Sequence, residues 1–141
     1  MKRRELILAA FAPAEGALHS PAQTQKLLFL IDRQIPQFVG GPHFKFEPYH
    51  YGPFDKTIYD DLREMESAGL LEMVHEETWR SCRLTVPGQK EGDRLLSSIP
   101  TEGSGFIKKV SSFVRQVSFA ELIAAIYKAY PEMKQNSVFQ E

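Results

Sequence analysis

Apolar residues recur along this chain with two spacings, one helical and one strand-like, and the changes between them mark its elements. Residues 3–12 predict a first amphipathic helix, closed by the turn at Pro13 and Gly16. A second helix has a clear start: Ser20 at the N-cap, Pro21 at the first helical position and Gln23 completing a capping box. The unbroken run Leu27, Leu28, Phe29, Leu30, Ile31 predicts that its middle is buried on most sides. It should stop near Gln34, because the residue before Pro36 is pushed out of the α region. After a Gly-Gly-Pro turn, His43 to Tyr51 alternate and are rich in aromatics, which predicts a strand; Pro48 makes it an edge or bulged one. Gly52-Pro53 then reads as a turn opening a third helix, capped by Gly52 or Asp55, with the stripe Phe54, Ile58, Leu62, Met65 and a stop at Gly69.

Two alternating segments, Leu70–His75 and Arg80–Val86, predict a β-hairpin joined at "EETW". Thr85 caps a fourth helix running to about Ile99, and "PTEGSG" reads as a loop. Two C-terminal helices follow, at about 105–130. Phe106, Val110, Phe113, Val114 and Val117 form one apolar face; Phe119, Leu122, Ile123, Ile126, Tyr127 and Tyr130 form the other. Ser118 and Glu121 make a second capping box, with Val117 and Leu122 placed as a hydrophobic staple. The tail from Pro131 to residue 141 is expected to be loosely held. The expected fold is mainly α (α+β): a single domain with a winged helix-turn-helix-like core over residues 2–99, a β-hairpin wing and additional C-terminal helices. "LREMESAGLLE" resembles the junction from recognition helix to wing, and "CRLTVPGQKEG" the exit from wing to helix.

The bulk composition narrows the function classes. A chain of 141 residues, 43% apolar and 25% charged, is one ordinary globular domain. Its formal charge of −1 leans against a dedicated nucleic-acid binder. One cysteine, Cys82, forms no internal disulfide and supplies no thiolate cluster, which fits a reducing cytoplasm. The basic start "MKRRELILAAFA" has only Leu6–Ala9 between Glu5 and a nominal cleavage site, so a first helix is expected rather than a secretory leader. No run approaches a membrane span.

Within this frame "TQKLLFLIDR" and "GPHFKFEPYHYGPFDKTIYDDL", spanning about Thr24 to Leu71, resemble the phage-associated Panacea domain, the SocA-like antitoxin family; YwgA-like proteins share a related "YHYGPF" phrase. The resemblance implies a compact, mostly helical domain, without catalysis, that neutralises a toxin by protein contact. The matching positions are Lys26, Leu27, Leu28, Phe29, Gly52, Pro53 and Tyr59. From the residues themselves, Leu27, Leu28 and Phe29 fill a core and Gly52 and Pro53 set a turn, which leaves Lys26 and Tyr59 to present polar atoms.

Catalytic and metal chemistry find little to build on. His43, Glu47 and His50 tempt a metal reading, but on a strand His50 faces away from the other two unless Pro48 makes a bulge. Cys82 on a wing strand is expected to be a buried, inert thiol. No G-x-S-x-G turn or Gly-rich phosphate loop is present, and Asp60-Asp61 and Glu76-Glu77 are adjacent pairs whose side chains diverge. No enzyme, metal or cofactor is expected.

Charge is the remaining discriminator. Between Asp55 and Ala68 the acids Asp55, Asp60, Asp61, Glu64 and Glu66 outnumber Lys56 and Arg63. Across the wing Glu72, Glu76 and Glu77 outnumber Arg80 and Arg83. A winged helix docks on DNA with these two elements, and an acidic surface repels phosphate. The leading expectation is therefore a cytoplasmic, non-enzymatic protein-binding module, an antitoxin-like neutraliser or adaptor. Its partner would be another protein with a basic surface, such as a cognate toxin, met by Lys26, Tyr59, Asp60, Asp61, Glu64 and Trp79. For Trp79 two placements stand: an exposed anchor at the hairpin tip, or, as the default, peripheral core folded onto the fourth helix. The alternative is a winged-helix transcriptional regulator, with a homodimer through the C-terminal helices and DNA contacts from Lys2, Arg3, Arg4 or from Lys108, Lys109 and Arg115.

Overall fold

A computed structural model describes residues 1–139. The chain folds into seven α-helices and two antiparallel hairpins among those residues. The helices are α1 (Arg3–Phe11), α2 (Pro21–Gln34), α3 (Pro36–Val39), α4 (Ile58–Ser67), α5 (Val86–Ser98), α6 (Thr101–Gln116) and α7 (Phe119–Ala129). The first hairpin pairs β1 (Glu47–Tyr49) with β2 (Gly52–Phe54), the second β3 (Leu71–Glu76) with β4 (Trp79–Leu84). The fold is thus mainly α with a β-hairpin between the fourth and fifth helices. No described helix is long and apolar enough to cross a membrane.

The first helix is not amphipathic. Leu6 through Phe11 are all buried, so α1 runs through the middle of the core, with α5 and α2 packed around it. A short helix that is apolar on every side is stable only inside a protein. The second helix matches its signals: Ser20 accepts from the Gln23 amide, and Gln23 returns the bond to the Ser20 N–H. Leu27, Leu28, Phe29 and Ile31 are fully buried. The helix stops at Gln34 as expected, and the chain then makes the one-turn α3, which begins at Pro36. Proline at a first helical position loses no bond, because that N–H has no partner in any helix.

The region 43–57 departs most from expectation. Instead of one strand up to Tyr51, Glu47–Tyr49 turns through His50 and Tyr51 and pairs back on Gly52–Phe54. Gly52-Pro53 lies inside β2 and does not open a helix, and Phe54 faces the β1 side rather than extending the α4 stripe. The third long helix starts only at Ile58, where the Asp55 carboxylate accepts from the Thr57 N–H and hydroxyl, 2.9 and 2.6 Å away. Ile58, Leu62 and Met65 then face the core, and Gly69 ends the helix at positive φ.

"PTEGSG" is a second correction: α6 begins at Thr101 and includes both glycines. Gly103 is there for packing, since a Cβ at that position would sit 2.9 Å from Phe38 Cβ. The inner row of α6 is Ile107, Val110, Ser111 and Val114, while Phe113 and Phe119 are exposed at 39% and 46% instead of facing inward. The tail is also held. A 3-10 turn spans Pro131–Lys134, Val138 N–H donates to His50 O at 2.9 Å, and the Phe139 ring lies against Phe119 and Tyr127. Residues 140 and 141 of the expected loose tail lie outside the described residues. The β3–β4 hairpin is anchored too, because His19 and Cys82 exchange both backbone hydrogen bonds.

Candidate functional site

Four segments far apart in sequence converge on one open groove of about 670 Å³. Its floor is the start of α2: Ser20, Pro21, Ala22, Gln25 and Lys26. The β1–β2 hairpin supplies one wall through Tyr49, Tyr51, Gly52 and Phe54, backed by Tyr59 of α4. The tip of the β3–β4 hairpin, Thr78 and Trp79, forms a second, and Phe119 at the start of α7 a third. Tyr49, Tyr51, Trp79 and Phe119 are 49%, 46%, 43% and 46% exposed, so half the exposed large apolar residues border this one groove.

The walls are braced rather than free. The Gln25 amide donates to Asp55 O at 3.0 Å and accepts from Asp55 N–H at 2.9 Å, tying β2 to α2 like an added strand. The Asp55 carboxylate also receives the Lys45 N–H at 2.9 Å and is held below the usual carboxylate range by its Thr57 and Lys45 bonds, against the opposing effect of burial. Asp32 receives the His43 and Phe44 amides. Tyr51 meets Phe119 edge-on at 5.4 Å, and Tyr49 stacks on Phe54 at 5.0 Å. Trp79 does not fold back onto α5. Its indole N–H donates to Glu76 Oε2 at 3.0 Å and Ser81 Oγ at 3.2 Å, which stands the ring at the groove edge. Gly52 sits at φ +97°, a backbone conformation that favours glycine, and a Cβ there would lie in ordinary contact, 3.6 Å, with Lys26 Cε and the Tyr127 ring.

Among the described residues Lys26 is the groove's one charged group, and it is only 4% exposed. Its Nζ donates to Pro53 O across a long 3.4 Å, and burial pushes its pKa down to about 8. Tyr59, behind the wall, has its phenol pushed up by burial.

Lys26, Tyr59, Trp79, Gly52 and Pro53 therefore gather at or beneath the groove, and Leu27, Leu28 and Phe29 form the core under it. The acidic candidates do not join them. Asp61 is buried, with Arg3 Nε at 2.6 Å and Arg4 Nε at 3.1 Å, so the expected outward carboxylate is an internal one. Glu64 pairs with Arg4 and Asp60 with Arg63. Glu66 accepts the Met73 N–H, so each of the five acids counted between Asp55 and Ala68 already has a donor. On the second hairpin Glu72 pairs with Arg83.

Of the cations named for DNA, the arginines are similarly engaged. Arg3 and Arg4 hold Asp61, and Arg115 donates to Ser111 O and Oγ on its own helix. Lys108 and Lys109 are exposed on α6. His43 Nε2 lies 2.7 Å from Val39 O, and among the described residues no three His, Cys, Asp or Glu side chains are grouped to hold a metal. Cys82 is buried against Thr24 and its thiol is pushed up to about 11.

Tyr49, Tyr51, Phe54 and Phe119 were missed as site residues. The alternating aromatics around Gly52-Pro53 carry the signal for the first three; the sequence pattern places Phe119 inward because its neighbours Leu122 and Ile123 are. No protein-family model matches the chain, and no curated protein matches it in sequence.

Proposed function

We propose that this chain is a non-enzymatic, cytoplasmic protein-binding module that holds a segment of a partner protein in the aromatic groove. The carrying observation is the convergence of four half-exposed aromatic rings, from the two hairpins and α7, on one braced surface. Rigid aromatic side chains desolvate large areas at little entropic cost, which makes them the usual anchors of interfaces. The antitoxin-like form of this reading, neutraliser or adaptor, draws on the resemblance of Thr24–Leu71, the stretch that supplies Lys26, the first hairpin and Tyr59. Contact through an acidic α4 has less support, since its carboxylates are engaged within the chain.

The test is co-expression with the products of neighbouring genes, followed by purification of the complex, for the native chain and for Trp79→Ala with Tyr51→Ala. Loss of about 2 kcal/mol per anchor would weaken the complex roughly 30-fold for each. A complex that survives both substitutions undiminished, or rescue of growth that persists with both, would place the interface elsewhere.

A further inference from the structure

Lys26 has an unusual balance. An ammonium group carries three donors, and among the described residues only the 3.4 Å bond to Pro53 O uses one. No carboxylate among the described residues forms an ion pair with it. The other polar groups of the floor are spent within the chain: Gln25 bonds Asp55 at both ends of its amide, and Ser20 caps α2. A cation 96% removed from solvent, lining an otherwise apolar groove, is a cost the fold does not recover internally.

The groove's chemistry is therefore apolar walls around one buried, uncompensated positive charge. We propose that it recognises an extended apolar segment of the partner protein carrying a carboxylate, with the carboxylate on Lys26 and the flanking apolar side chains against Tyr51, Trp79 and Phe119. This rests on the protein-binding reading of the same groove. A carboxylate supplies the missing acceptor, and a neutral segment would leave the ammonium buried deeper and still unpaired. Glu76 fixes a direction. It sits at the rim beside Trp79, with its Oε2 occupied by the indole and the Ser81 hydroxyl, so a second acid in the segment is disfavoured at that end. The recognised segment is one acidic residue among apolar ones, not an acidic run.

The probe is a displayed library of random twelve-residue peptides selected on the immobilised full chain, on Lys26→Met and on Trp79→Ala. The expected result on the native chain is enrichment of a single Asp or Glu flanked by aliphatic or aromatic residues. With Lys26→Met the acidic preference should vanish while the apolar preference remains. A selected peptide, resynthesised with its acid changed to the amide, should lose roughly tenfold to a hundredfold in affinity for the native chain and little for Lys26→Met. Thermal melting confirms that the variant is folded, and Lys26→Gln serves as a second neutral variant. Apolar enrichment that depends on Trp79 but carries no acidic preference, or an acidic preference that survives both Lys26 variants, overturns this inference and leaves the protein-binding reading intact. Enrichment that Trp79→Ala leaves unchanged, or none at all, overturns both.

Discussion

Replacing Lys26 by Met keeps an unbranched side chain, one atom shorter, and removes the buried charge. The folded-state pKa of about 8 lies below the ordinary 10.5. Between those values the unfolded chain binds more protons than the folded one, so stability rises as pH rises through that window. Below about pH 8 the full cost is present, about 3 kcal/mol at pH 7. The variant gives up one long hydrogen bond to Pro53 O, worth about 1 kcal/mol or less, so it should be the more stable protein at pH 7. Urea denaturation of both proteins at pH 7 and pH 10 measures this directly. Tyr59 and Cys82, whose pKa values burial raises, also titrate toward alkaline pH, but they do so in both proteins and cancel in the difference. The gap between variant and native chain should narrow by about 2 kcal/mol from pH 7 to pH 10. A gap equal at both pH values, or a variant less stable at pH 7, would mean that the ammonium is already compensated within the chain.

Asp61→Asn should destabilise the chain by about 1–3 kcal/mol, because Arg3 and Arg4 lose the carboxylate charge and one of its two acceptor oxygens becomes an NH2 donor; a urea midpoint that places the loss within about 0.5 kcal/mol would return Asp61 to the surface. His19 is buried against Phe11 with neither ring nitrogen bonded, and burial lowers its pKa to about 4, with Arg115 adding to the shift. Stability should therefore fall as pH drops from 6.5 toward 4, and relative to His19→Leu the native chain should lose about 2 kcal/mol between pH 7 and pH 4.5. Parallel curves for the two proteins would refute it. Gly88→Ala would place a Cβ 1.7 Å from Leu70 O and should cost about 3 kcal/mol or more, whereas Gly105→Ala, with nothing within 4 Å, should stabilise α6 by up to about 1 kcal/mol. Thermal melts that rank the two the other way would contradict the packing of α5 on the second hairpin.

The parts legible in the sequence are those set by neighbouring residues. Ser20 with Gln23 and Ser118 with Glu121 form the capping boxes their spacing announces, and Thr85 accepts from the Gly88 N–H. The second hairpin forms where its alternation implies, and its register pairs Leu71 with Leu84 and Met73 with Cys82. What escaped depends on residues far along the chain. Gly52-Pro53 reads locally as a turn, but Gln25, thirty residues earlier, holds Asp55 and fixes Gly52–Phe54 as a strand. The glycines of "PTEGSG" read as a loop because the Phe38 ring that Gly103 admits is invisible in that window. Likewise Lys26, Tyr59 and Trp79 could be named singly, but only folding brings them beside Tyr51 and Phe119.

The acidity of α4 shows the same limit with a larger consequence. Counted along the helix, five acids against two bases suggest a surface made to repel phosphate and attract a basic protein. Counted in space, α1 lays Arg3 and Arg4 across Asp61 and Glu64, and the patch is near balance. Phosphate is still disfavoured there, because the arginines that neutralise the acids are no longer free for it. A basic partner also gains little from this face, because exposed pairs such as Asp60–Arg63 contribute little to affinity once internally satisfied. Unlike the paired carboxylates, exposed aromatic rings gain free energy only when something covers them. The interface is therefore expected where the chain leaves apolar area and one buried cation unsatisfied together, between the two hairpins and the start of α7.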